Sequence, residues 1–190
     1  MSVAGTNPGF GWLTGSEITR QVELGRIRIS PFEKEQVNPN SYNYRLDPMI
    51  RRLTNDIIDM RRADEFEDIL IPEDGLLLRA GECYLGCTVE EFGSDYYAAL
   101  VTGRSSVGRK FITNHITAGL VDQGFHGQIT LEITVQRPTR VYPGIVFGQI
   151  FWFTSVGKAT LYDGKYVEQA RPTGSRAHLE SKHLGHTQND

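Results

Sequence analysis

The sequence predicts a mainly β fold, a sandwich or distorted jelly-roll-like barrel of short strands, with one short helix near the N-terminus. Three observations predict it. Apolar and polar residues alternate with a period of two in several short segments, most cleanly over residues 128–136, and such alternation marks a strand with one buried face. Helical periodicity is confined to one early stretch. Glycine (20 residues) and aromatic side chains (10%) are frequent, which suits a chain that turns often and packs pleated surfaces.

The elements follow in order. Residues 16–25 read as the helix: Ser16 as N-cap, Glu17 in the first turn, Ile18 and Val22 on one face, Gly25 as the stop. Residues 47–74 are charged and irregular, a surface excursion with room for a helical turn. Strands are expected at 84–89, at 96–102 and at 145–153, the last an apolar run broken by Gly148 and Gln149. Within 128–136, Ile129, Leu131, Ile133 and Val135 face inward, and Glu132 projects from a face of small polar residues. Cys83 and Cys87 fall in the strand around 84–89 and read as buried thiols. From Arg171 the chain is polar and reads as a flexible tail, 171–190.

The length, 190 residues, suits a single domain spanning 1–190, with 1–12 as an N-terminal extension. A net charge of -3 excludes general nucleic-acid binding, which needs a basic surplus. No apolar run has the length of a membrane span, and residues 1–15 lack a signal-peptide pattern. Two cysteines build no disulfide framework and, without a second pair, no zinc site. A soluble, cytoplasmic protein is expected.

Three constellations carry chemistry. Residues 103–110 join Arg104, Arg109 and Lys110 with Ser105, Ser106 and two glycines. Such a loop can grip phosphate through guanidinium groups, hydroxyls and N–H groups; a solvated turn is the plain alternative. Residues 115–127 carry His115, Asp122 and three glycines, and run into the strand of Glu132. Asp122 and Glu132 form a candidate carboxylate pair for positioning and proton transfer. The plain alternatives are a turn residue, an exposed strand residue and, for His115, a structural histidine. Residues 162–169 place Tyr162, Lys165, Tyr166 and Gln169 where they can cover a nucleotide, or form an ordinary hairpin.

Taken in order, Gly-Arg-Ser-Ser-x-Gly-Arg at 103–109, His-x-Thr-Ala-Gly-x-x-Asp-x-Gly-Phe-x-Gly-x-Ile-Thr-Leu-Glu at 115–132 and Tyr-x-x-Lys-Tyr-x-x-Gln at 162–169 resemble the dCTP deaminase family of the dUTPase-like superfamily. Residues 24–32 and 38–46 extend the resemblance upstream. It implies a dUTPase-like fold, a homotrimer with sites assembled between subunits, and zinc-independent deamination of dCTP to dUTP and ammonia, with Mg2+ accompanying the triphosphate. It implies Glu132 as proton shuttle, a role the chemistry allows if shielding by the closed tail raises the carboxyl. Arg104, Ser105, Ser106 and Arg109 would hold the triphosphate and the attacking water. Ala118 would offer its backbone near the base and Asp122 would contact the sugar. Thr130 and Leu131 would flank the base, and Tyr162, Lys165 and Gln169 would lie above it, with the tail as a lid. dTTP enters as a candidate inhibitor. Val135, Gln123 and the tail residues 169–176 depart from the usual family pattern. Two alternatives stand beside this reading: a bifunctional enzyme giving dUMP and diphosphate, and a non-catalytic nucleotide sensor on the same fold.

Overall fold

The structure is a computed structural model and describes residues 11–167 and 169–180. Its elements are α1 (Gly15–Glu23), β1 (Arg28–Ser30), β2 (Tyr42–Arg45), β3 (Met49–Leu53), β4 (Phe66–Leu70), β5 (Leu76–Leu78), β6 (Tyr84–Gly93), β7 (Ala98–Gly103), α2 (Ser105–Gly108), β8 (Ile112–Thr113), β9 (Leu120–Val121), β10 (His126–Val135), β11 (Thr139–Val141), β12 (Val146–Phe153) and α3 (Ala177–Glu180). The larger sheet runs β4-β3-β6-β10-β8, with β1 also on β6. The second sheet runs β2-β12-β7-β9, and β5 and β11 form a separate ribbon. The sheets stay open and do not close into a barrel.

One core joins the sheets. Tyr42, Tyr44, Ile150 and Trp152 of the smaller sheet meet Phe92, Leu131 and Ile133 of the larger one. Phe92 stands edge-on to Tyr42, with ring centroids 6.2 Å apart, and lies 6.1 Å from Trp152. Each such side chain removed from water contributes about 2–3 kcal/mol. From Ile129 to Val135 the odd positions of β10 are buried and the even ones half-exposed, as the alternation predicts.

Several expectations change. Thr14, not Ser16, caps α1, and its Oγ1 accepts from the Glu17 N–H at 3.4 Å. The helix starts early because Gly15 tucks against the Asn38 carbonyl, where a Cβ would come within 2.1 Å. Gly25, at φ +68°, ends the helix as expected. Residues 47–74 hold no helix. They form the antiparallel pair β3–β4, which extends the larger sheet. Their alternation is masked because charge pairs, including Arg51 Nε to Asp68 Oδ1 at 2.7 Å, occupy the exposed positions. Cys87 is buried, and burial pushes its thiol well above the ordinary range. Cys83 is exposed, because β6 begins one residue after it.

The expected extension 1–12 and tail 171–190 lie partly outside the described residues. Within them, the Gly11 N–H donates to Thr154 Oγ1 at 3.0 Å, and Trp12 stacks on Phe151 with centroids 4.0 Å apart. The tail residues 171–180 are placed along β10 by hydrogen bonds and end in α3.

Candidate active site

The outward face of β10 presents Thr130 and Glu132 to a cavity of about 450 Å3, within the range of ligand pockets. The 114–125 loop adds His115, Ala118 and Asp122, and the segment after β12 adds Tyr162, Tyr166, Gln169, Thr173 and Ser175. The glycines around Asp122 explain how the two segments meet. At Gly124 (φ +92°) a Cβ would lie 2.7 Å from the Tyr162 nitrogen, and at Gly127 (φ +153°) 2.5 Å from the Gln169 carbonyl oxygen. The close approach expected from these glycines is therefore made by the chain's own C-terminal segment.

Glu132 is the electrostatic centre of the cavity. Its Oε2 lies 2.6 Å from His115 Nδ1 and accepts from the Ile116 N–H at 3.1 Å. Burial alone would raise the carboxyl. The His115 hydrogen bond and charge, with the Ile116 N–H, outweigh burial and hold it below its ordinary value of 4.5. Shielding does not raise it, contrary to the sequence expectation, because sequence did not show His115 as its partner. Burial likewise lowers the His115 imidazole, but the Glu132 hydrogen bond, the Ala118 backbone and the Glu132 charge bring it above its ordinary value of 6.5. The Tyr44 hydroxyl accepts from Asn114 Nδ2 at 3.1 Å, and burial, then the Glu132 charge, pushes it upward, so it stays protonated.

The pair sets a pH signature. The His115 contribution is complete below 6.5 and fades as pH rises through its raised folded value. The Glu132 contribution is complete above 4.5 and fades as pH falls through its depressed folded value. The melting temperature of wild type minus that of His115→Gln should therefore peak between these limits and decline on both sides. Melting curves from about pH 4 to about pH 9 check this, and a flat difference would break the link to the ion pair.

Arg104, Ser105, Ser106 and Arg109 do not reach this cavity. They line a second hollow of about 370 Å3 with Asn38, Asn43 and Gln149. Its floor is neutral amide: Asn38 Nδ2 donates to Asn43 Oδ1 at 2.9 Å, and Gln149 Nε2 to the Gly103 carbonyl at 3.1 Å. Among the described residues neither Arg104 nor Arg109 enters an ion pair. Both cations are free to take an anion.

The remaining predicted residues divide. Ala118, Asp122, Thr130, Tyr162 and Gln169 line the first cavity with Glu132. Leu131 faces the other way and is fully buried in the core. Lys165 lies outside the cavity, paired with Glu180 and 5.3 Å from the Tyr166 ring centroid. Tyr166, expected among the residues that can cover a nucleotide, lines the cavity, and so do Thr173 and Ser175, which sequence does not single out; the two hydroxyls after Gln169 are the available signal.

A family model described as dCTP deaminase-like matches residues 12–155. The chain belongs to the dCTP deaminase-like family. It is 44% identical over 156 residues to a protein of Cytophaga hutchinsonii named "dCTP deaminase, dUMP-forming", covering 81% of this chain and 89% of the relative. A protein of Hathewaya histolytica with the same name is 43% identical over 155 residues, covering 81% and 90%. The crystal structure of 2'-deoxycytidine 5'-triphosphate deaminase from Agrobacterium tumefaciens superposes with a TM-score of 0.62 at 20% identity. That likeness bears on the fold. It covers 77% of this chain, which spans about half (49%) of that chain's length. The family match contains both hollows' motifs up to Glu132 but ends before the segment that roofs the first cavity. No helix among the described residues is long and apolar enough to cross a membrane.

Proposed function

We propose that this chain deaminates dCTP and releases dUMP and diphosphate. The observation that carries the deamination is Glu132, ionised and oriented by His115 and the Ile116 N–H in a cavity roofed by the C-terminal segment. The product follows the relatives, both named dUMP-forming, and replaces the dUTP expected from sequence.

The chemistry suits these groups. A water oxygen adds to C4 of cytosine while the Glu132 carboxylate takes a water proton and passes it to N3. The same carboxyl then takes the second water proton and delivers it to the amine, the C4–N bond breaks, and ammonia leaves. A carboxyl held low starts in the ionised form this sequence requires. Asp122 lines the same cavity; in this reading it orients a second water toward the α-phosphorus, with diphosphate as leaving group. Thr130 and the Ala118 backbone border the base; Tyr162 and Gln169 cover it.

Among the described residues, the cavity is lined by carboxylates but no arginine, and the second hollow by the arginines but no carboxylate. This division supports a homotrimer in which the 104–109 loop of a neighbouring copy supplies Arg104, Ser105, Ser106 and Arg109 to the triphosphate and the attacking water. Mg2+ arrives with the triphosphate as part of the substrate. dTTP, which shares the triphosphate and sugar, is the proposed competitor, and the cytoplasm the proposed location.

The test is a product assay with dCTP and Mg2+, separating nucleotides by anion exchange and measuring ammonia and diphosphate in parallel. Stoichiometric dUMP, diphosphate and ammonia are expected. Accumulating dUTP would overturn the second half-reaction. Bound dCTP with no product would overturn catalysis and favour a sensor.

A further inference from the structure

A buried polar pair that the chemistry above does not use lies where the chain crosses between the sheets. β8 pairs with β10 in the larger sheet and β9 with β7 in the smaller one, so residues 114–119 make the crossing. They carry the groups that hold Glu132, namely His115 and the Ile116 N–H. The far end of the crossing is fixed by backbone, the Gly119 carbonyl accepting the Val101 N–H at 2.8 Å. The near end is fixed by a side chain. Asn114 is the one buried residue of the crossing, and residues 116–118 are exposed.

Asn114 reaches into the smaller sheet. Its Nδ2 donates to the Phe147 carbonyl at 2.9 Å and to the Tyr44 hydroxyl at 3.1 Å. A carbonyl only accepts, so Phe147 decides which end of the amide meets Tyr44. That carbonyl is available because Phe147 is the extra residue of a bulge in β12: Val146 faces Arg45, but Gly148 faces Tyr44. The Tyr44 hydroxyl, having accepted from Asn114, gives its one proton to the Thr102 carbonyl at 3.2 Å. The two side chains therefore pair in one orientation only. Two glycines make room for them. A Cβ at Gly148 would lie 2.0 Å from the Tyr44 hydroxyl oxygen, and one at Gly103 3.1 Å from Asn114 Oδ1. Buried polar groups satisfied in this way rigidify what they are attached to.

We propose that Asn114 and Tyr44 are positioning residues for Glu132: they pin the start of the crossing so that His115 and the Ile116 N–H stay on the carboxylate. With Asn114 released, the crossing pivots on its Gly119 anchor and the grip on Glu132 loosens. The role deepens the deamination reading and rests on it only for the kinetic readout.

The test uses the full chain and two variants. Tyr44→Phe removes the hydroxyl and keeps the ring in the core. Asn114→Leu replaces the amide with an apolar group of the same branching. NMR titration of the His115 imidazole without nucleotide, assigned with His115→Gln, reads the grip directly. Glu132 is the charged group that acts on His115. The other titratable groups around the pair are Tyr44, whose hydroxyl feels the Glu132 charge, and Asp122, Tyr162 and Tyr166 on the cavity wall. In the wild type the midpoint is expected above 6.5, because Glu132 and the Ala118 backbone outweigh burial. In both variants it should move down, since burial remains and the partner is loosened. In dCTP turnover, kcat should fall about tenfold, what one or two hydrogen bonds are worth, with KM within about twofold. An unmoved His115 midpoint in the variants would overturn the proposal and reduce the pair to core packing, whatever the melting temperature does. In the wild type, the Asn114 amide protons should exchange with water more slowly than those of the exposed Asn40. Equally fast exchange would overturn the proposal even if neither variant folded. Midpoints shifted as expected with no dCTP turnover would leave the positioning role standing and sink the assigned reaction instead.

Discussion

Replacing Glu132 by glutamine is expected to lower ammonia release from dCTP by about 10²–10⁴-fold, the range of a single general acid–base group. The variant keeps nearly the same volume and an oxygen to accept the Ile116 N–H. It cannot carry a proton from water to N3 and on to the amine. The inward residues of β10, which hold the strand, are untouched. Binding of dCTP by calorimetry and ammonia release therefore report separately. Affinity within a few-fold of wild type with turnover lost supports the assignment, and near-normal turnover would remove Glu132 from the mechanism.

The second large effect comes from mixing two inactive proteins. Arg109→Ala should abolish turnover through loss of triphosphate binding, and Glu132→Gln should do so through loss of proton transfer. If a site takes Glu132 from one subunit and Arg109 from the next, chains unfolded together and reassembled will build some sites from two intact halves. Equal mixing into closed rings of head-to-tail interfaces gives about a quarter of wild-type activity. Sites contained within one chain would give none. The separate unfolded-and-reassembled variants, which stay inactive, are the controls.

The legibility of this fold in its sequence varied with how burial is distributed. β10 is readable because one face meets the core and the other does not, so alternation survives from Gln128 to Val135. The β3–β4 pair was not, because Arg51, Arg52, Glu67 and Asp68 are strand residues in charge contact across the pair, and charge clusters read as loop. The cap of α1 was misplaced by two residues because Thr14, Ser16 and the later Glu17 all satisfy capping preferences, and the choice was made by Gly15 fitting beneath Asn38. Among the site residues, motif order pointed to Glu132, Asp122, Ala118 and Thr130, and the cavity brings these together. Motif order did not show that Arg104–Arg109 would line a different hollow, since adjacency of segments in sequence says nothing about which way a loop turns in the fold. Nor did it reveal the tie between His115 and Glu132, which forms only when the 114–125 loop folds back onto β10.

The neutral amide floor beneath Arg104 and Arg109 has a thermodynamic consequence of its own. Asn38, Asn43 and Gln149 offer dipoles but no countercharge, so the folded chain carries two guanidinium charges there that no carboxylate among the described residues pairs with. An anion that binds this hollow only in the folded state adds to stability by mass action. The melting point of this protein is then a joint property of the polypeptide and its buffer. Phosphate will report a sturdier molecule than a zwitterionic buffer at the same pH, with no contact inside the chain having changed.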